Sequence, residues 1–449
     1  MPRQAIPEPS KSESTSRWIF ALRALRHRNY RLFFGGQSVS LIGTWMTRIA
    51  TSWLVYRLTG SAWLLGVVGF AGQIPTFLLA PFAGVWVDRL NRHRVLVITQ
   101  VLAMVQSFSL ALLALTNRIT IADIIWLSAF QGLINAFDMP ARQAFVVEMV
   151  EDRADLSNAI ALNSSMVNMA RLIGPSVAGV IIATVGEGYC FLIDGISYLA
   201  VIASLLLMHL GKAEPRGTRS EIITELRQGW TYVTRSVPIR SILLLLALVS
   251  LVGMPYTVLI PIFAGGILHG GPHTLGFLMA ASGVGALAGA LHLASRKTVL
   301  GLGRVVTASA ALFGIGLITF SQSRWLWLSL PLMFITGMGM MQEMAASNTI
   351  LQTIVAGEMR GRVMSYYTMA VIGMAPFGSL LAGSVAARIG APSALLISGL
   401  LCMAGALWFW AHLEEVRREV RPIYRELGIL PQVAEGIQQA TALQVPPQE

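Results

Sequence analysis

Apolar runs of about transmembrane length recur from residue 31 nearly to residue 413 of this 449-residue chain. That recurrence constrains the fold more than any motif does, because a helix needs about 20 mostly apolar residues to cross the hydrocarbon of a bilayer. Breaking the runs at Gly, Pro and charge clusters predicts spans over residues 31–57, 64–87, 95–115, 121–140, 158–184 and 190–209. After a polar stretch, six more follow over 239–262, 273–294, 304–322, 325–343, 363–386 and 392–413. Strands of a membrane barrel are shorter and alternate apolar with polar residues, whereas Ile242 to Val249 run without alternation. The expected class is therefore an all-α membrane protein of twelve transmembrane helices. Only 12% of side chains are charged, about half the share usual in soluble domains.

Charge placement orients these spans. With the N-terminus inside, 27 of the 33 Lys and Arg residues fall on the cytoplasmic side. The opposite loops hold only Arg57, Arg118, Arg324 and Arg388, while Arg48 and Arg171 lie within spans. The positive-inside rule then predicts a multi-pass membrane protein with both termini cytoplasmic. It also accounts for the net charge of +11 through anionic lipid, so no nucleic-acid partner is needed. The first 28 residues lack a short apolar core with a small-residue cleavage site, and no cleaved signal peptide is expected.

The expected organisation is a cytoplasmic tail over 1–28, a six-helix bundle over 29–209, a cytoplasmic linker over 210–238, a second six-helix bundle over 239–413, and a cytoplasmic tail over 414–449. Within the linker, Ile222, Leu226, Trp230 and Val233 recur at helical spacing on a charged segment, the pattern of an amphipathic helix. A basic loop follows the second span of each bundle, with Arg89, Arg92 and Arg94 in one and Arg296, Lys297 and Arg304 in the other. Two pseudo-symmetric halves of this kind are a transporter arrangement.

The stretch Gly84-Val-Trp-Val-Asp88-Arg89-Leu-Asn91-Arg92-His93-Arg94 resembles the signature loop of the major facilitator superfamily. In that family the loop is a cytoplasmic latch, which implies roles for Gly84, Asp88, Arg89 and Arg92, with Asp138 and Arg142 at the end of the fourth span. On physical grounds Gly84 permits close helix approach, and Asn91 stands where the motif has a turn glycine and tolerates positive φ. Ala170-Arg171-Leu-Ile-Gly174-Pro175-Ser-Val-Ala178-Gly179 is similar to the fifth-helix motif of proton-coupled exporters, though Ala170 and Ala178 replace glycines of the pattern. The resemblance implies gating by Gly174, Pro175 and Gly179; close helix packing explains the same residues. Asn29-Tyr-Arg-Leu-Phe-Phe-Gly-Gly-Gln37, Trp53 to Ser61, Ala136 to Gln143, and Arg360-Gly361-Arg362-Val363 look like the enterobactin-exporter-like, transmembrane secretion effector branch. That branch implies export of siderophores, drugs or other amphiphiles.

Ionisable residues inside a membrane are expensive, about 3 kcal/mol or more at midplane, and usually face water or a partner. Arg48, Arg171, Asp194 and Glu343 are accordingly the candidates for substrate or proton handling. Asp138, Asp194 and Glu343 all fall near predicted span ends, so composition does not single out a proton carrier. Glu343 ends the tenth span much as Asp138 ends the fourth. Cys190 and Cys402 sit apart from each other and from any His, which points to inert packing.

These features predict a secondary active transporter, a monomer taking a small-molecule substrate and exporting it in exchange for protons by alternating access. A proton-coupled importer and a non-transporting receptor of the same fold are the alternatives. The sequence has no phosphate-binding Gly-x4-Gly-Lys-Ser/Thr loop to serve a primary pump. His209, His269, His273, His292 and His412 are scattered, so no enzymatic centre, metal or cofactor is expected.

Overall fold

The computed structural model describes residues 22–150, 152–209, 222–296 and 298–426, and among them every regular element is a helix. Six long helices make the first half: α1 (Arg28–Thr59), α2 (Ala62–Arg89), α3 (Arg92–Leu115), α4 (Ile121–Met149), α5 (Leu156–Val185) and α6 (Glu187–Leu206). A short helix α7 (Ile222–Arg235) follows. Six more make the second half: α8 (Val237–Ile267), α9 (Pro272–Ala294), α10 (Leu302–Gln322), α11 (Leu326–Ile354), α12 (Gly357–Ile389) and α13 (Ala391–Glu426). The fold is thus a twelve-helix membrane bundle with an extra linker helix. Nine of the long helices among the described residues are apolar enough to cross a membrane by length and composition. The other three, α1, α4 and α11, are the ones that carry Arg48, Asp138 and Glu343.

Local chemistry sets the helix ends. Gly60 closes α1 in the left-handed conformation, φ 59°, and the Ser61 side chain then accepts from Leu64 N to cap α2. Thr120 and Asp123 form a reciprocal capping box at the start of α4. Asn91 is not a positive-φ turn residue as expected: its φ is −69°, and its side chain caps α3 by accepting from Arg94 N. Prolines within α8 and α12 follow or flank π-helical turns at Val249–Gly253 and Met369–Gly373. A widened turn absorbs the donor that proline lacks.

Three helices overrun the predicted spans furthest. Helix α4 passes through Pro140 to Met149, α11 continues past Glu343 to Ile354, and α13 reaches Glu426. The apolar run marks where a helix leaves the hydrocarbon, and the backbone hydrogen bonds continue into the polar region beyond. Asp138 and Glu343 are therefore well inside their helices rather than at the ends.

The chain divides into two compact units, one within Met1–Thr218 and Pro261–Ala280, the other within Arg219–Ile260 and Ala281–Glu449. The end of α8 and the start of α9 thus pack with the first-half helices, a departure from a boundary drawn only at the linker. Glycines make this packing possible. A Cβ on Gly276 would stand 2.7 Å from the Pro175 carbonyl oxygen, and one on Gly265 would stand 2.4 Å from the Tyr56 ring.

Each unit is built on the same close crossings. In the first, a Cβ on Gly132 of α4 would lie 2.5 Å from the Gly72 carbonyl of α2. In the second, one on Gly337 of α11 would lie 1.9 Å from the Ser282 carbonyl of α9. Helices α4 and α11 both have 29 residues, and Gly132 and Gly337 lie equally far from their first residues. The same register holds for Gly72 in α2 and Ser282 in α9. Small residues at such crossings let backbones approach where no hydrophobic force draws helices together in lipid.

Candidate transport site

Register also relates the two acidic residues. Asp138 and Glu343 are equally far from the starts of α4 and α11. Asp138 is buried and fully served: Thr99 Oγ1 donates to it at 3.0 Å, Gln100 Nε2 donates at 2.7 Å, and Arg142 pairs with it one helical turn away. The expected partners Arg89 and Arg92 do not take this carboxylate. Arg92 pairs with Glu148 at 2.5 Å and Arg89 is exposed. An i, i+4 guanidinium on the same helix satisfies Asp138 without any loop rearrangement.

Glu343 is fully buried, and neither carboxyl oxygen has a hydrogen-bond partner. Each helper of Asp138 has a different residue at its counterpart in the second half. Ser347 stands where Arg142 does, and its hydroxyl is also unpaired. In α10, Ser309 and Ala310 stand where α3 has Thr99 and Gln100, and Ser309 donates to Gln342 instead, at 3.1 Å. Tyr367 of α12 reaches the next residue of α11, donating to the Met344 carbonyl at 3.4 Å.

Asp194 of α6 is intermediate between these two. Thr47 Oγ1 and Ser107 Oγ donate to its Oδ2 at 2.8 and 2.9 Å, while Oδ1 has no partner. Gly43 of α1 makes room for it, since a Cβ there would meet Oδ1 at 2.6 Å. The first residue of the same helix, Glu187, accepts from Arg57 Nε at 2.8 Å.

Arg48 and Arg171 meet on one ring. The guanidinium carbons lie 5.3 and 5.5 Å from the centroid of the Trp45 indole, one reaching from α1 and the other from α5. Gly174 brings the helices together here: a Cβ on it would stand 2.4 Å from Trp45 Cβ and 3.1 Å from the Ile42 carbonyl. Gly179, farther along α5, is similarly pressed against Pro272, His273 and Gly276. The α5 motif therefore makes two tight crossings, with Pro175 buried between them.

The remaining expectations are structural or fall outside the described part. Asp88 lies in α2, but its side chain is outside the described residues, as are residues 1–21, 210–221, Lys297 and 427–449. Among the described residues nothing lies within 4 Å of where a Cβ on Gly84 would stand, so Gly84 makes no close approach here. Asn29 clamps the end of the sixth span, donating to the His209 carbonyl at 2.8 Å, and Tyr30 donates to the Ala159 carbonyl. In the linker helix α7, Gly229 lies under Arg362 and Tyr366 of α12, Trp230 contacts the Tyr366 ring at 6.0 Å, and Val233 is buried. The side chains of Ile222 and Leu226 are not among those described. Beside α7 is a cavity of about 740 Å³ lined by Arg227, Tyr232, Arg235, Met359 and Glu419 among others.

Several working residues escaped the sequence reading. Thr99, Gln100, Thr47 and Ser107 are uncharged polar residues in mostly apolar helices, without a motif around them. Their signal is a polar group at the depth of a buried acid, which becomes readable only once helices are paired.

Comparison with known proteins agrees with this architecture. The family model described as "Transmembrane secretion effector" matches residues 19–425. The staphyloferrin A transporter of Staphylococcus aureus is 27% identical over 84% of this chain and 95% of that protein. The multidrug efflux pump Tap of Mycolicibacterium fortuitum is 27% identical over 80% of this chain and 89% of its own. Macrolide efflux protein A of Streptococcus pyogenes is 24% identical over 84% of this chain and 96% of that one. Among solved structures, an inward-facing bacterial homologue of the human lysosomal transporter Spinster superposes with a TM-score of 0.68 at 13% identity. It covers 86% of this chain and 96% of its own. A D-xylose–proton symporter superposes at 0.65 and 14% identity over 88% and 97%. These structural likenesses concern the fold.

Proposed function

We propose, from the premise that the chain belongs to the transmembrane secretion effector family of major facilitator transporters, that it exports a small amphiphile, drug or siderophore in exchange for protons. As a transporter of this family it is a multi-pass membrane protein acting on small molecules. Export is supported by relatives named for efflux, and siderophore cargo by the relative named for staphyloferrin A. The proposed setting is a bacterial plasma membrane with both termini cytoplasmic, and the acting unit is a monomer.

The observation that carries the proton coupling is Glu343, a fully buried carboxyl with both oxygens unserved. Among the described residues a charge there has no hydrogen bond and no ion-pair partner, and burying such a charge in an apolar interior costs several kcal/mol. The group sheds or takes a proton only when its surroundings change, as alternating access requires of a coupling site. Asp138 keeps Arg142 and two donors in place and serves as a fixed ion pair of the first half. Asp194, half served by Thr47 and Ser107, is the second proton-pathway candidate. The α5 crossings at Gly174 and Gly179 act as the gate, while Gly84, Asp88, Arg89 and Arg92 form the cytoplasmic latch. Catalysis has no part in this scheme.

Purified protein in liposomes tests it. An imposed pH gradient is expected to drive amphiphile movement with opposite proton flux, read by a pH-sensitive dye. The reading fails if neither protons nor any member of a broad amphiphile panel moves.

A further inference from the structure

We propose that Arg48, Trp45 and Arg171 form a binding subsite for an amphiphilic organic anion, its carboxylate, sulfonate or phosphate held by the two guanidiniums and its flat apolar body laid on the indole. The proposal rests on the exporter reading above and names the chemical class of its substrate.

Two cations lie against one indole ring here. Each guanidinium gains from the ring's negative face, but the pair also repel each other, and each feels the other's charge. An anion between them relieves that repulsion and accepts forked hydrogen bonds from both. Arg48 is exposed although it lies roughly 16 Å along α1 from Thr59, at 1.5 Å per residue. A charged side chain so deep in a span faces water, since lipid would impose several kcal/mol. Trp45 and Arg171 are partly exposed beside it.

The surroundings fix this arrangement. Arg171 and Gly174 are one turn apart on α5, and the missing Cβ of Gly174 is what lets α5 close on Trp45. Arg48 and Trp45 are likewise one turn apart on α1.

Three probes of one shape separate charge from greasiness: naphthalene-2-sulfonate, naphthalene-2-sulfonamide and 2-naphthyltrimethylammonium. Equilibrium binding to the full chain in detergent is expected to favour the sulfonate over the sulfonamide by about tenfold or more, the scale of a hydrogen bond to a charged group. Arg48→Gln and Arg171→Gln are each expected to remove most of that preference. Arg48→Lys and Arg171→Lys keep the charge but lose the fork, and are expected to retain part of the preference, between the Gln variants and the parent. Trp45→Leu is expected to weaken all three probes together. Equal binding of sulfonate and sulfonamide by the unaltered chain overturns the proposal, as does full retention of the preference in both Gln variants. The same probes in the liposome assay separate the two readings. Gradient-driven movement of the ammonium probe but not the sulfonate discards the anion site and leaves the exporter standing, whereas sulfonate binding with no flux of any amphiphile discards the exporter.

Discussion

The two halves place an acid at the same register of the same helix and treat it in opposite ways. Asp138 has a guanidinium, an amide and a hydroxyl, and Glu343 has none of them. Three differences account for the contrast: Arg142 against Ser347, Gln100 against Ala310, and a Thr99 that faces the acid against a Ser309 that turns to Gln342. The packing frame is shared, since both helices cross their neighbours at Gly132 and Gly337. The shared frame therefore holds an ion pair in one half and an acid with both oxygens unserved in the other.

The sharpest way to break this comparison is to neutralise each acid in turn. Glu343→Gln keeps the volume and loses no hydrogen bond, so its melting temperature is expected to match the parent. Gradient-driven flux in liposomes is expected to fall to the protein-free level. Asp138→Asn reverses the pattern, because it strips Arg142 of its counter-charge inside the bundle. Its stability is expected to drop by about 2 kcal/mol or more, with residual transport in the molecules that remain folded. If Glu343→Gln transports like the parent, the proton reading of Glu343 is wrong.

A second variant moves the first half's chemistry into the second. Ser347→Arg places a guanidinium one turn from Glu343, as Arg142 stands to Asp138, and is expected to slow gradient-driven flux by about tenfold, the scale of one charge-assisted hydrogen bond. The reciprocal Arg142→Ser leaves Asp138 with Thr99 and Gln100 only. It strands the more buried partner of the pair and is expected to lower stability by about 2 kcal/mol or more, read as a lower melting temperature. Unchanged flux in Ser347→Arg would show that an unserved Glu343 is not required.

How much of this the sequence discloses depends on the range of each interaction. Twelve helices, the linker helix and the i, i+4 spacing of Asp138 and Arg142 are periodic or local, and a single chain displays them. Glu343 was visible as an acid in a greasy run, but its isolation was not, because isolation depends on which residues of α10, α12 and α13 come near. The cluster on Trp45 is similar. Arg48 and Arg171 stood out as charges within spans, but 123 positions separate them, and only the Gly174 crossing brings both to one ring. Span ends misled where helices continue beyond the apolar run, which moved Asp138 and Glu343 from predicted ends to helix interiors. Asn91 misled for another reason: the residue types that tolerate a turn also cap helices, and capping won.

The smallest expected effects come from glycines, and they sharpen the comparison at the level of packing. Alanine at Gly337 would put a methyl 1.9 Å from the Ser282 carbonyl, and at Gly132 it would put one 2.5 Å from the Gly72 carbonyl. Both contacts are with backbone, which cannot rotate aside. Overpacking of this kind costs about 1–3 kcal/mol, so Gly337→Ala is expected to melt lower than Gly132→Ala, and both below the parent. Gly84→Ala meets nothing within 4 Å among the described residues and is expected to change stability by no more than about 1 kcal/mol, in the stabilising direction, through helix propensity. Transport then decides what Gly84 is for. If the latch brings a neighbouring helix against it at another stage of the cycle, Gly84→Ala slows flux with the melting temperature unlowered. Parent-like flux would reduce the resemblance at Gly84 to a helix residue with no close contact to protect.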